Sequence, residues 1–417
     1  MQILDCYYKY DHKEKHPTVF LVGKDANGKL RTLHTEHHYP YFYAVGELPP
    51  KLADNHMIHS IDAVDKFLPI GYQTQTTPMW KITLFNPGDT SEIRDGLIDR
   101  GLKVFEADIL YKYRYMVDHN LGGMIWTNDG IHRVENELNA PLKTLAFDIE
   151  VLLNEAGNFP ISSPSVDTKG NLLREADPIV IITMAMSDGN IKLLKNDDEA
   201  ELLRDFVTEV NKFDPDIIVS YNGDSFDWPY IIDRAHLNEV PLSIGRDKSE
   251  PKIREVGDSS QILIRGRVSL DMLPIIRKNY SLKNYKLATA ASLVNEEKLD
   301  VKPQEMRRLW LAHDTKFLEY AKQDANITLK LLLDLKLLEK YIALSKATGL
   351  LLQDVLYSGQ SAMIENLFLK EFNKRDRVLG IKPRRSAAKI KSEPLDCVFG
   401  SYIETLEEDD DGVKYEG

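Results

Sequence analysis

Three acidic clusters, far apart along the chain, carry side chains suited to one kind of chemistry. They are Asp148-Ile149-Glu150, then Asn222-Gly223-Asp224-Ser225-Phe226-Asp227, then Tyr320-Ala321-Lys322-Gln323-Asp324. Asp148, Glu150, Asp227 and Asp324 offer four carboxylates and Tyr320 a phenol. Hard divalent ions such as Mg²⁺ or Mn²⁺ take oxygen ligands, only a few of them from protein. Two such ions held about 3.5–4 Å apart serve in-line phosphoryl displacement. The set is the one a two-metal nuclease needs.

The elements that would position these groups can be read locally. Leu145-Ala146-Phe147 before Asp148, and Val151-Leu152 after Glu150, make a short apolar run that predicts a strand. On a strand, residues i and i+2 share a face, so the two carboxylates converge. Burying them side by side is costly without cations. The second cluster follows an apolar strand, Asp216 to Tyr221, and begins with the turn signal Asn222-Gly223. Asp227 then stands at the head of a helix over Trp228 to Leu237, with Pro229 in its first turn. Asp314 reads as the N-cap of a third element, a helix on which Tyr320 and Asp324 lie one turn apart. Plainer readings stand beside these. Asp-x-Glu arises by chance in an acidic chain, Asp227 can be an N-cap, and the Tyr320 face can be solvated.

Together the clusters resemble the Exo I, Exo II and Exo III motifs of the DnaQ-like proofreading exonucleases within the family B DNA polymerases. The likeness extends to Pro215 through Asp227, to Ile244-Gly245-Arg246-Asp247 with Glu250-Pro251-Lys252, and to Gly266-Arg267-Val268 with Asp271 beyond it. Tyr39-Pro40-Tyr41-Phe42-Tyr43-Ala44 is similar to the amino-terminal domain of archaeal members. The resemblance implies a 3′→5′ exonuclease acting on DNA. Asp148, Glu150, Asp227 and Asp324 match the metal-holding carboxylates, and Tyr320 the phenol that orients the attacking water. It places Asn222 and Phe226 beside the terminal nucleotide of a frayed single-stranded 3′ end. Phe226 can equally be core.

The polymerase runs of the family, Asp-x-x-Ser-Leu-Tyr-Pro-Ser and Tyr-Gly-Asp-Thr-Asp, are absent. Lys414-Tyr415-Glu416-Gly417 resembles the start of the segment that joins exonuclease to palm. The expectation is a chain that does not synthesise DNA alone, either a subunit served by a separate palm-bearing partner or a fragment. The resemblance also implies a second function. Tyr8, Pro40, Tyr41, Thr90, Ile109, Tyr111 and Arg114 match a pocket that captures deaminated template bases in archaeal members. Thr90 and Tyr111 depart from its usual residues, and Tyr41 and Tyr111 can instead fill a β-domain core. The competing function class is therefore a non-catalytic module that binds template and docks a polymerase chain.

The expected fold class is α/β, a β-rich amino-terminal domain followed by a ribonuclease H-like exonuclease domain with carboxy-terminal helices. Boundaries are expected at 1–135 for the first, 136–337 for the exonuclease, 338–380 for helices returning to the first domain, and 381–417 for a charged linker. Aromatic-rich strands are expected around Tyr7–Tyr10, Thr18–Val22 and Tyr39–Val45, and helices over Thr90–Arg100, Asp198–Phe213, Phe317–Lys346 and Leu350–Phe372. The stretch from Leu152 to Asp177 reads as a loop or hairpin beside the site.

Composition sets outer bounds. With 417 residues and 43% hydrophobic content, two or more cores can form. Only Cys6 and Cys397 are present, which suits a reducing, cytoplasmic setting. No apolar run has membrane-spanning length and the amino terminus lacks a signal peptide. An archaeal or viral origin is expected. The net charge of −12 first argues against a DNA partner. Residues 393–417 hold nine acidic side chains against Lys414, while 371–392 hold eight basic ones against Glu371 and Asp376. The basic Lys382-Pro383-Arg384-Arg385 can touch phosphate or be plain linker. The excess acidity is thus concentrated in a tail and predicts salt-sensitive DNA binding.

Overall fold

The computed structural model describes residues 1–71, 73–154, 158–256, 259–298 and 303–382. The expected linker beyond Lys382, with its arginines, Cys397 and the acidic run from Glu407 to Asp411, lies outside the described residues. The chain forms two compact units. One comprises Met1–Lys9, Thr18–Glu36 and Tyr115–Leu367; the other comprises Tyr10–Pro17, His37–Arg114 and the chain from Phe368 on.

The amino-terminal third is rich in strands, as its alternating aromatic and β-branched residues require. Strands β1 (Gln2–Asp11), β2 (His16–Lys24) and β3 (Leu30–Glu36) open the chain. The second unit then builds a sheet from β4 (Tyr41–Val45), β5 (Ile58–Lys66), β6 (Thr77–Leu84) and β7 (Lys103–Phe105), in the order β5-β6-β4-β7. A short 3-10 turn (Pro87–Asp89), capped by Asn86 accepting from the Gly88 N–H, leads into helix α1 (Thr90–Ile98), which packs Ile93 and Leu97 against Phe42, Ile82 and Leu84. The chain's far end pairs into this same unit, with bridges Phe67–Arg377 and Phe105–Gly380. After α2 (Tyr111–Asp118), the short strands β8 (Trp126–Thr127) and β9 (Arg133–Val134) complete a sheet of order β3-β2-β1-β8-β9.

The α/β region from Thr144 onward follows. It has strands β10 (Thr144–Val151), β11 (Ser165–Val166), β12 (Leu172–Arg174), β13 (Ile179–Met186) and β14 (Ile191–Lys195), then α3 (Glu199–Phe213), β15 (Ile217–Ser220) and α4 (Asp227–Leu237). Next come β16 (Lys252–Val256), β17 (Ser259–Leu263), β18 (Val268–Asp271), α5 (Met272–Asn279), α6 (Leu287–Ala291), α7 (Pro303–Leu311) and α8 (Thr315–Leu333). The sheet runs β14-β13-β10-β15-β18. Strand β10 is antiparallel to β13 and parallel to β15, so the polarity changes at β10. All eight residues of β13 are buried. The core above it joins Phe147, Phe206 and Trp228, with Phe147 and Trp228 edge to face at 4.7 Å. The expected hairpin between Leu152 and Asp177 is the antiparallel pair β11–β12.

Two long helices expected near the end are each broken. Helix α8 stops at Leu333, and α9 (Leu337–Thr348) begins after Lys336 at φ +52°. Extended Ser358 then separates α10 (Leu352–Tyr357) from α11 (Gln360–Lys374). A lysine in the left-handed region carries little sequence signal, which is why the first break is silent in the residue pattern. Among the described residues no helix is long and apolar enough to cross a membrane.

Candidate active site

The site forms where the parallel strands β10 and β15 end. In open α/β sheets such carboxyl ends gather ligand-binding residues at a change in strand order. On β10, Asp148 lies opposite Thr183 and Glu150 opposite Ile181. The register shifts directly after Glu150, a bulge of the kind that re-aims side chains beside active sites. Helix α8, capped by Asp314 as its sequence suggests, presents Tyr320 and Asp324 on a buried face. The solvated-face reading of that helix is thereby excluded. Ligand oxygens of Asp148, Glu150 and Asp324 all lie within 4.8 Å of one another.

Asp227 stands next to this group without joining it. It is the first residue of α4 and Phe226 takes the cap position, so the N-cap reading fails. Its carboxylate, ahead of those of Asp324 and Glu150, adds to the burial that raises the Asp148 carboxyl. Trp228, wedged against Phe147, holds the helix start in this place.

The loop between β15 and α4 is built tightly. Asn222 adopts φ +67°. Gly223 is needed for space: a Cβ there would fall 1.9 Å from Ser220 Oγ. Asp271, the N-cap of α5, accepts from Asn222 N at 2.7 Å through Oδ1 and from Asp224 N at 3.2 Å through Oδ2. Tyr357 on α10 donates to Asp224 Oδ2 at 2.5 Å and accepts from Asp271 N at 3.1 Å. Below the loop, Arg246 pairs with Asp214 and Asp216, Arg267 with Asp214, and buried Lys24 with Asp216. The Arg246, Arg267 and Asp271 segments noted in the sequence thus anchor the ends of β15.

Electrostatically the site is a crowd of like charges. Burial, then Asp227, Asp324 and Glu150, push the Asp148 carboxyl well above its usual range. Burial and Asp324 do the same for Glu150. Burial and then Asp271 raise Asp227 to about 7, and burial raises Asp324. Burial and the neighbouring carboxylates also raise the Tyr320 phenol. Among the described residues Lys298 answers them. Lys298 Nζ sits 2.5 Å from Asp324 Oδ2 and 4.8 Å from the Tyr320 ring centre. The sequence reading missed it, because Asn295-Glu296-Glu297-Lys298 has no periodicity to exploit. Among the described residues Asp324 Oδ1 is buried with no hydrogen-bond partner. A converging oxygen set with raised proton affinities and one orphaned oxygen fits divalent cations.

Phe226 is half-buried against Tyr230 and faces Phe159 at 6.2 Å. Phe159, also missed, is 78% exposed. Its carbonyl accepts from Arg174, and neighbouring Ile161 is tied to Tyr230 and Asp177. An exposed aromatic is therefore held beside the second cluster. The seven residues of the expected template-base pocket divide, Tyr8 in the first unit and the other six in the second. Within the second, Tyr111 donates to the His38 carbonyl, and buried Arg114 pairs with Glu106 and lies 4.7 Å from the Tyr41 ring centre. Thr90 bonds back to Pro87 O at 3.0 Å, Pro40 is buried and Ile109 half-buried.

A family model for the DNA polymerase family B exonuclease domain matches residues 102–290. The DNA polymerase of Pyrococcus horikoshii is 28% identical over 408 residues, covering 91% of this chain and 30% of that protein. That of Pyrococcus glycovorans is 28% identical over 407 residues, covering 91% and 48%. The solved family B DNA polymerase from the hyperthermophilic archaeon Pyrobaculum calidifontis aligns with a TM-score of 0.76 at 26% identity, over 92% of this chain and 52% of that one. The chain spans about half or less of the length of these relatives.

Proposed function

We propose that this chain, which carries the exonuclease domain of a family B DNA polymerase with the amino-terminal portion that precedes it, removes nucleotides from DNA 3′ ends. The observation that carries the reading is the convergence of Asp148, Glu150 and Asp324 within 4.8 Å. Asp148, Glu150, Asp324 and Asp227 would hold two divalent ions. When bound, these supply the charge that makes a water nucleophilic and stabilises the departing 3′ oxygen.

The chain's own groups do the rest. Tyr320, kept protonated by its surroundings, donates from its hydroxyl and fixes the direction of attack. Phe226 and Phe159 give unstacked bases an apolar face, worth about 1–3 kcal/mol per stacked base. Asn222, held by Asp271, offers its side-chain amide to the terminal nucleotide. Lys298 neutralises Asp324 and stands within reach of a phosphate at the carboxylates. The proposal includes a proofreading role, supported by the match to a family B exonuclease domain, and takes a separate polymerase chain as its partner. The template-binding alternative draws less support, since Tyr111 and Arg114 are engaged within their own unit.

Digestion of 5′-labelled single-stranded DNA tests the reading. Stepwise shortening from the 3′ end in Mg²⁺, stopped by chelator, is the expected result; a folded protein that leaves the strand intact would refute it. Lys298→Ala gives a sharper check. Removing a donor aimed at developing charge costs on the order of 10²-fold in kcat. Removing the competing cation from Asp324 should at the same time lower the Mg²⁺ concentration needed for half-maximal rate. A metal titration of both proteins reads the two effects, and a variant with weakened metal affinity would contradict this placement of Lys298.

A further inference from the structure

A second feature of the same unit is not used by the chemistry above. In a chain of net charge −12, residues 272–295 contain no acidic side chain but include Arg277, Lys278, Lys283 and Lys286. Helix α9 adds Lys340. Among the described residues none of these five forms an ion pair, although most arginines and many lysines elsewhere do. Lys278, Lys283, Lys286, Arg277 and Lys340 are all exposed.

Two of them are held in a built arrangement. Buried Tyr341 forms the floor, with Lys278 Nζ 5.9 Å and Lys340 Nζ 5.8 Å from its ring centre. Lys278 donates to Ser358 O at 2.9 Å and Lys340 to Asn279 Oδ1 at 2.5 Å. Asn279 in turn donates to the Tyr341 hydroxyl at 2.9 Å. Partial burial and then the Lys340 charge lower the Lys278 proton affinity. Arg277 lies 5.5 Å from the Tyr285 ring centre.

The cluster is continuous with the nuclease site. Helix α5 begins immediately after Asp271, whose carboxylate holds Asn222. Arg277 and Lys278 sit at its other end, and eight residues of helix span about 12 Å. Tyr221, next to Asn222, donates to Tyr285 O at 2.7 Å, joining the Lys283–Lys286 turn to the same loop. We propose that Lys278 and Lys340, flanked by Arg277, Lys283 and Lys286, bind the phosphodiester backbone of a single DNA strand that leads to the carboxylate site. The inference rests on the nuclease reading for its choice of ligand.

Anisotropy of a fluorescein-labelled oligothymidylate, measured on the full chain in chelator across a salt series, tests it. Each phosphate contact on a single strand contributes about 0.7 to the slope of log affinity against log salt. Lys278→Gln with Lys340→Gln should therefore lower the slope by about 1.4, and weaken binding about 25-fold at about 0.1 M salt. Lys278→Arg with Lys340→Arg should restore both, because charge and not packing carries the contact. Asp148→Ala with Glu150→Ala should keep the wild-type slope. An unchanged slope in the glutamine variant, or failure of the arginine pair to restore it, overturns the proposal. No hydrolysis enters this readout. A wild type that binds with the expected slope but never digests DNA would refute the proposed nuclease while leaving the strand-binding surface standing.

Discussion

Asp148→Ala with Glu150→Ala is expected to reduce 3′-end digestion by roughly 10⁴-fold while raising the melting temperature of the metal-free protein. The loss follows from removing two of the three oxygens that converge within 4.8 Å. Metal assistance is worth several kcal/mol of transition-state stabilisation, and about 5–6 kcal/mol corresponds to that factor at 1.36 kcal/mol per decade. The gain in stability follows from the same geometry. Both carboxyls are pushed up first by burial and then by neighbouring carboxylates, Asp148 chiefly by Asp227 and Glu150 chiefly by Asp324, so the folded state carries a repulsion that alanine removes. Strand β10 remains hydrogen-bonded on both sides, to β13 and β15. Single-turnover digestion and thermal unfolding followed by circular dichroism read the two effects. Retention of a tenth of the activity would remove these residues from the chemistry, and loss of a cooperative transition would make the pair structural.

Metal should act on stability in the opposite sense and more strongly at high pH. The folded-state affinities of Asp148, Glu150, Asp227 and Asp324 for protons are all raised, Asp227 to about 7. A raised carboxyl binds more protons folded than unfolded, so its stabilising contribution is complete below about pH 4 and is lost as pH climbs through the folded value. Metal-free protein should accordingly lose stability between about pH 4 and above pH 7. A divalent ion takes the place of those protons, and its affinity rises as they leave. At 100 times its dissociation constant it contributes about 2.7 kcal/mol. The Mg²⁺-induced rise in melting temperature should be clearly larger at about pH 8 than at about pH 5.5. Equal shifts at the two pH values would mean that the carboxylates are not the binding groups.

Much of this was legible in the residues, and the limits have physical causes. Period two places Asp148 with Glu150, and one helical turn places Tyr320 with Asp324; both are local rules, and both pairs lie where those rules put them. The Asn222-Gly223 turn was also readable, though for a partly different reason. Asn222 takes the positive φ, and Gly223 serves by lacking a Cβ beneath Ser220. Contacts between distant segments were opaque. Nothing local links Lys298 to Asp324, Arg174 to Phe159, or Asp271 to the loop 49 positions before it. The broken helices failed for a third reason: apolar spacing runs through Lys336 without interruption, and only the backbone angle reveals the stop.

The bond from Tyr357 to Asp224 bears on how small a working nuclease can be. The matched exonuclease region ends at residue 290, yet Tyr320 and Asp324 come after it and the hydroxyl that braces the Asn222 loop comes later still. On the proposed reading, the groups assigned to the chemistry therefore lie on both sides of the edge that sequence kinship draws. The proposed nuclease should need the chain through α10; trimmed at the kinship boundary, it would lack one of the proposed carboxylates, the phenol and the brace together.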